Sequence, residues 1–195
     1  IEELGYERVN QTDLRRESKR SPLASDLLRD ALRRINPDLS DDLIEQAFFK
    51  INHIDAGLLV NRNEIFFDYL QKGVEVTSYE DGESKTTRAY LIDYLNPEVN
   101  SFVVLNQLTI NGKDTRRPDV LIYVNGMPLV VIELKSANSD FQDVESAYRQ
   151  IKNYQKGIEE LFVYNAFNII SDFTTTKVGT ITANLEWYKE WKTAD

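Results

Sequence analysis

A chain of 195 residues, 42% hydrophobic and 11% aromatic, has enough apolar side chain to fold around a core, which excludes a disordered class. It carries no cysteine and one histidine, His53, so a disulfide framework and a thiolate or histidine-rich metal site are excluded as well. A net charge of −9 weighs against a nucleic-acid partner until its distribution is read: basic residues predominate from Arg15 to Arg34, acidic ones from Asn36 to Asn100.

Ile1 to Leu4, followed by Gly5, reads as the last turn of a helix with a glycine just past its end, which implies chain upstream. Residues 8–21 are polar and arginine-rich without periodicity: a loop, either a solvated linker or one that tracks phosphates. Ser21-Pro22 starts a helix, because serine can cap and proline is accepted in the first turn. Leu23, Leu27, Leu28, Ala31, Leu32 and Ile35 give that helix a buried stripe before Asn36-Pro37 ends it. Ser40, Asp41 and Asp42 open a second helix with Leu43, Ile44, Ala47, Phe48 and Ile51 inside, and His53 in this mostly apolar helical context reads as structural. A third helix runs from Asn61, with Glu64 at the capping-box position, to Gly73.

From Val74 the period becomes alternating. Val74 to Thr77, Ala89 to Leu95 and Ser101 to Ile110 read as strands, separated by Asp81-Gly82 and Asn96-Pro97 and continued through Asn111-Gly112 as an antiparallel meander. A helix from about Phe141 to Lys156 follows, then strands at Phe167 to Ser171 and Val178 to Thr182 and a terminal helix around Trp187. The expected architecture is α/β (α+β): a single domain over 1–195, mainly helical over 1–73, with a mixed, largely antiparallel sheet flanked by helices over 74–195. No apolar run approaches the roughly 20 residues needed to cross a bilayer, and no signal-peptide pattern opens the chain; the expectation is a cytoplasmic protein.

The stretch from Arg116 to Lys135, RRPDVLIYVNGMPLVVIELK, concentrates the chemistry. Val120 to Val124 and Leu129 to Ile132 favour two strands, and Asn125-Gly126 between them is a hairpin turn. Glu133 and Lys135, two apart on a strand, share a face, and the hairpin returns them to the neighbourhood of Asp119. Two carboxylates and a lysine at one spot can hold a hard cation and act on a phosphate; the plainer reading is a strand end carrying a surface ion pair. The two readings differ in geometry. A regular two-residue hairpin pairs residues whose numbers sum to 251, which puts Asp119 opposite Ile132 and turns it away from Glu133. A metal site therefore demands an odd-length loop, a bulge, or a kink at Pro118-Asp119. On the following helix Gln150 and Tyr154, at i and i+4, share a face able to reach the strand ends, and Arg149, Lys152 and Lys156 form an adjoining basic row that is either a solvated face or a DNA contact.

The order P-D, hairpin, E-x-K, then helix with Gln150-Ile151-Lys152-Asn153-Tyr154 resembles the PD-(D/E)xK nucleases. More narrowly, with Asn106-Gln107 before the hairpin and GTITANLEW after it, the chain is similar to the N-terminal nuclease domain of the type I restriction enzyme R subunit, a restriction-endonuclease-like fold. The resemblance implies Mg²⁺-dependent cleavage of double-stranded DNA. Asp119 and Glu133 would be metal ligands, Lys135 would complete the catalytic set, and Gln150 and Tyr154 would support the site or contact DNA. Arg116, Arg117, Arg149, Lys152 and Lys156 are the candidate DNA contacts. A further acid upstream of Leu4-Gly5-Tyr6 is expected in that family. No G-x-x-x-x-G-K-[ST] occurs here, so ATP would belong to motor domains elsewhere in the protein, with methyltransferase and specificity subunits as partners. The alternatives are another nuclease of this kind, such as a repair nuclease, or a non-catalytic docking module that keeps the fold.

Overall fold

The computed structural model describes residues 5–55, 57–80, 82–135, 144–172 and 174–191. The expected helix end at Ile1 to Leu4 and the helix start at Phe141 lie outside them. Three helices come first, α1 (Ser25–Ile35), α2 (Asp41–Asn52) and α3 (Leu59–Lys72), preceded by a short strand β1 (Glu7–Arg8). Then come β2 (Val74–Glu80), β3 (Glu83–Ala89), β4 (Phe102–Asn106), β5 (Ile110–Asn111), β6 (Thr115–Arg116), β7 (Val120–Val124) and β8 (Met127–Leu134). The chain continues through α4 (Val144–Gly157), α5 (Glu159–Val163), β9 (Phe167–Ser171), β10 (Thr176–Gly179) and β11 (Lys189–Glu190).

The fold class is as expected, a mixed α/β structure with a largely antiparallel sheet, but the meander is not continuous. The central sheet has the order β1-β4-β7-β8-β9-β10-β11, while β2-β3 and β5-β6 form two-stranded sheets of their own. Antiparallel pairing links β4, β7 and β8; β8 and β9 are parallel because α4 and α5 carry the chain back, and β1 is parallel to β4. One face of the sheet, with Val103, Leu105, Leu121, Tyr123, Val131 and Ile170, is buried against Ala147, Ile151 and Tyr154 of α4. The other packs, through Met127, Leu129 and Val130, on the core that α1 to α3 share with β2 and β3.

Several element boundaries move for identifiable reasons. α1 starts at Ser25 rather than at Ser21-Pro22, because Ala24 N–H donates to the Gly126 carbonyl (2.9 Å) and the Tyr123 hydroxyl to the Pro22 carbonyl (2.8 Å), holding this segment against the central hairpin. α3 begins at Leu59, so Asn61 and Glu64 lie inside the helix and form no capping box; Gly73 does end it, at φ 76. β3 stops at Ala89, where a strand was expected to begin, because the Asn36 side chain takes both Tyr90 backbone groups (2.7 and 2.9 Å). The strand expected over Ser101 to Ile110 breaks at Gln107, whose φ of 52 turns the chain out of the sheet. The strand expected over Val178 to Thr182 is Thr176–Gly179, and a short further strand, Lys189–Glu190, follows it. Around Trp187 there is a single 3-10 turn, Leu185–Trp187, after which the Tyr188 ring lies on the bare Cα of Gly179. His53 is the exposed residue that ends α2, its ring stacked on Phe49 at 4.2 Å. No helix among the described residues is long and apolar enough to cross a membrane.

Candidate active site

The β7-β8 hairpin has both features that the sequence set in tension. Its turn is the two-residue Asn125-Gly126, both residues at positive φ (51 and 79), as a type I′ turn requires. Tyr123 pairs with Pro128 and Val124 with Met127, in the 251 register, but Ile122 pairs with Val130 and Val120 with Ile132, in the 252 register. Leu129 is the extra residue of a bulge, and its carbonyl accepts hydrogen bonds from Ala166 N–H (2.7 Å) and the Asn165 amide (3.2 Å) at the start of β9. Carried one step further, the shifted register sets Asp119 across from Glu133, both on the face that α4 covers.

Asp119 Oδ2 accepts the Leu134 backbone N–H at 2.9 Å, which fixes this carboxylate against the segment joining Glu133 to Lys135. Its own backbone carbonyl accepts Gln107 N–H at 2.9 Å. Glu133 is 3% exposed; its Oε1 meets Lys135 Nζ at 2.7 Å and its Oε2 accepts the Tyr154 hydroxyl at 3.0 Å. Burial raises the Glu133 carboxyl above the usual carboxylate range and the Asp119 charge adds to this, while the Lys135 and Tyr154 contacts oppose it. Burial also lifts the Tyr154 hydroxyl well above the tyrosine range, helped by the Glu133 charge and opposed by the Gln150 side chain one turn back on α4, so it stays a proton donor. Tyr154 thus connects α4 to the carboxylate pair.

Asp119, Glu133, Lys135, Gln150 and Tyr154 are therefore brought together. The five candidate DNA contacts are divided. Arg117 is exposed beside the pair, held by the Gln107 carbonyl (3.3 Å) and side-chain oxygen (3.0 Å), whereas Arg116 is paired with Asp114 (2.7 Å). Arg149, Lys152 and Lys156 lie on the side of α4 roughly opposite Tyr154. Arg149 is paired with Glu145 (3.0 Å), Lys152 is half-buried with Nζ on the Ile181 carbonyl (2.9 Å), and Lys156 is exposed. Gln107 had no assigned role from sequence, yet it clamps the Asp119 backbone and aims Arg117; a left-handed glutamine leaves no mark in sequence, unlike a glycine or asparagine.

Two hard oxygen donors suit Mg²⁺, which keeps several waters and takes one or two carboxylates. Asp119 Oδ1 has no hydrogen-bond partner among the described residues, and the mutual repulsion of the two charges would be relieved by a cation between them. No group of three or more acidic, histidine or cysteine side chains able to hold a metal occurs among the described residues; Asp119 and Glu133 are the two carboxylates at this spot among them.

The fold and site define an α/β domain that presents two carboxylates and a lysine at the adjoining ends of two sheet strands. The chain belongs to the family described as type I restriction enzyme R protein N terminus, whose model matches residues 1–187. It is 37% identical over 170 residues to the type I restriction enzyme HindI endonuclease subunit of Haemophilus influenzae, covering 86% of this chain and 16% of that protein. It is 31% identical over 202 residues to the putative type I restriction enzyme MjaIXP endonuclease subunit of Methanocaldococcus jannaschii, covering 98% and 19%. A Staphylococcus aureus type I restriction enzyme endonuclease subunit is 30% identical over 181 residues, covering 91% and 18%. The chain spans less than a fifth of the length of these relatives.

Proposed function

We propose that this chain is the PD-(D/E)xK nuclease domain of a type I restriction enzyme R subunit and cuts double-stranded DNA with Mg²⁺. The observation that carries the reading is the bulged register, which sets the Asp119 carboxylate on the Leu134 N–H beside Glu133 and Lys135. Family membership favours an R subunit over a repair nuclease. Asp119 and Glu133 would hold the ion, which when bound acidifies a water and draws charge from the phosphate. Lys135 orients the attacking water or steadies the charge growing on the phosphate. Tyr154, with Gln150 one turn back on the same helix, fixes the Glu133 carboxylate through Oε2. ATP hydrolysis belongs to other parts of the protein, and the methyltransferase and specificity subunits are its cytoplasmic partners.

The test is made in the assembled complex. Asp119→Ala and Glu133→Ala each abolish DNA cleavage while ATP hydrolysis and translocation persist. Mg²⁺ raises the Tm of the wild-type protein and not of either variant, since a ligand stabilises only what binds it. Equal loss of ATP hydrolysis and cleavage in a folded variant would overturn the assignment.

A further inference from the structure

One sequence feature is not used by the carboxylate site: the arginine-rich segment of residues 8–21. It is stitched to the β5-β6 hairpin, whose second strand runs into Arg117 and Asp119. Asn111 N–H donates to the Lys19 carbonyl (2.9 Å), and the half-buried Arg16 guanidinium spans the Ser21 and Thr109 carbonyls (3.3 and 3.0 Å). The hairpin in turn sits on the end of α4: Asp114 N–H donates to the Gly157 carbonyl (3.2 Å), and a side chain at Gly112 would collide with that same carbonyl. Three distant pieces of chain are thereby fixed side by side next to the site.

Of the carboxylates in this region, Asp114 is paired with Arg116 (2.7 Å), while Glu17 accepts the Asn52 amide (2.9 Å) and Asp13 the Thr12 hydroxyl (3.2 Å). Lys19, Arg20 and Lys113 are exposed and form no ion pair among the described residues, and Arg117 is held only by the neutral oxygens of Gln107. In a chain of net charge −9, Arg29, Arg33, Lys72, Arg88 and Arg149 each have an acid at hand, whereas these four neighbouring cations do not. Exposed cations left without acids, on a scaffold that holds them in place, are suited to a polyanion.

We propose that Lys19, Arg20, Lys113 and Arg117 form the bank along which the DNA phosphate backbone leaves the carboxylate site. This rests on the nuclease reading and replaces the α4 row as the DNA path, because that row faces away from Tyr154 and its Lys152 is tied to Ile181. Contacts of this kind position DNA and read no sequence.

The experiment combines Lys19→Gln, Arg20→Gln and Lys113→Gln in the assembled complex, beside an Arg149→Gln, Lys156→Gln pair. Cleavage rate at limiting complex is followed against salt, with ATP hydrolysis and Tm measured on the same samples. In the triple variant the log–log salt slope of cleavage becomes shallower by about 0.9 for each phosphate no longer neutralised, the deficit being largest at low salt. ATP hydrolysis and Tm stay at the wild-type level, and Lys19→Arg with Lys113→Arg restores the slope. An unchanged slope in the triple variant, while Asp119→Ala still abolishes cleavage, overturns the bank and leaves the nuclease reading standing. A shallower slope in the α4 pair instead moves the DNA path to that helix and also overturns the bank. Cleavage that survives Asp119→Ala overturns the nuclease reading and the bank with it.

Discussion

Glu133 is a carboxylate whose every lone pair counts, because burial denies it water and a charged group there is tolerated only while others satisfy it. Lys135 supplies one partner and Tyr154 the other. Tyr154→Phe keeps the ring in the core formed with Ile151 and Ala147 and removes only the hydroxyl, so Oε2 loses its donor. The expected cost is about 1–2 kcal/mol in urea unfolding of the metal-free protein. A double variant with Glu133→Gln should recover much of that loss, because the charge that needed the donor is gone. If Tyr154→Phe costs the same in both backgrounds, the hydroxyl acts on something other than Glu133. Asp119, Glu133 and Lys135 were legible in sequence because charges at the ends of apolar strands are anomalous. Gln107 was not, because its contribution is a backbone conformation.

At the scale of the element, the hairpin turn is also an attachment point. Asn125 is fully buried at φ 51, its amide donating to the Leu91 carbonyl (2.9 Å) and Asn100 Oδ1 (2.8 Å), its oxygen accepting Ser101 N–H (2.8 Å). Asn125→Asp would set an anionic oxygen against two acceptors, at a cost of about 2–3 kcal/mol. Gly126→Ala would drive a Cβ to 2.5 Å from Leu28 N at positive φ, costing upwards of about 2 kcal/mol. Chemical denaturation measures both; a loss below about 0.5 kcal/mol in either would mean that the turn can leave α1 freely. The dipeptide was readable as a hairpin signal, but its load was not, since Leu91, Asn100, Ala24 and Leu28 reach it only through tertiary structure. The bulge stands between these cases: the demand that Asp119 meet Glu133 required a change of parity, and no residue marked Leu129 as its place. Helix α2 was legible from cap to stripe, whereas the strand expected from Ala89 to Leu95 failed because a single side chain, Asn36, competed for its backbone.

Across the whole molecule, the question is whether the helices before residue 73 and the sheet beyond it unfold together. The contacts between them are polar as well as apolar. Asn63 of α3 donates its buried amide to the carbonyls of Phe162 (3.2 Å), Val163 (3.0 Å) and Asn165 (3.0 Å), which close α5. Next to it in sequence, Arg62 forks onto Glu160 (2.6 Å) and approaches Glu159 (3.8 Å), with its side chain 15% exposed. The Tyr164 hydroxyl donates back to the Ile51 carbonyl at the end of α2 (3.1 Å), and Phe66 meets the Tyr164 ring edge-on at 5.2 Å. A helical part so connected to the crossover between β8 and β9 is expected to unfold together with it. Far-UV circular dichroism, weighted by the helices, and fluorescence of Trp187 and Trp191, beside β10 and β11, should therefore trace coincident urea curves. Asn63→Leu leaves three buried carbonyls short of a donor and should shift both curves together, by about 2–3 kcal/mol. Curves that separate in the variant, the circular dichroism falling first, would show that α1 to α3 form a unit docked on the central sheet rather than part of its cooperative core.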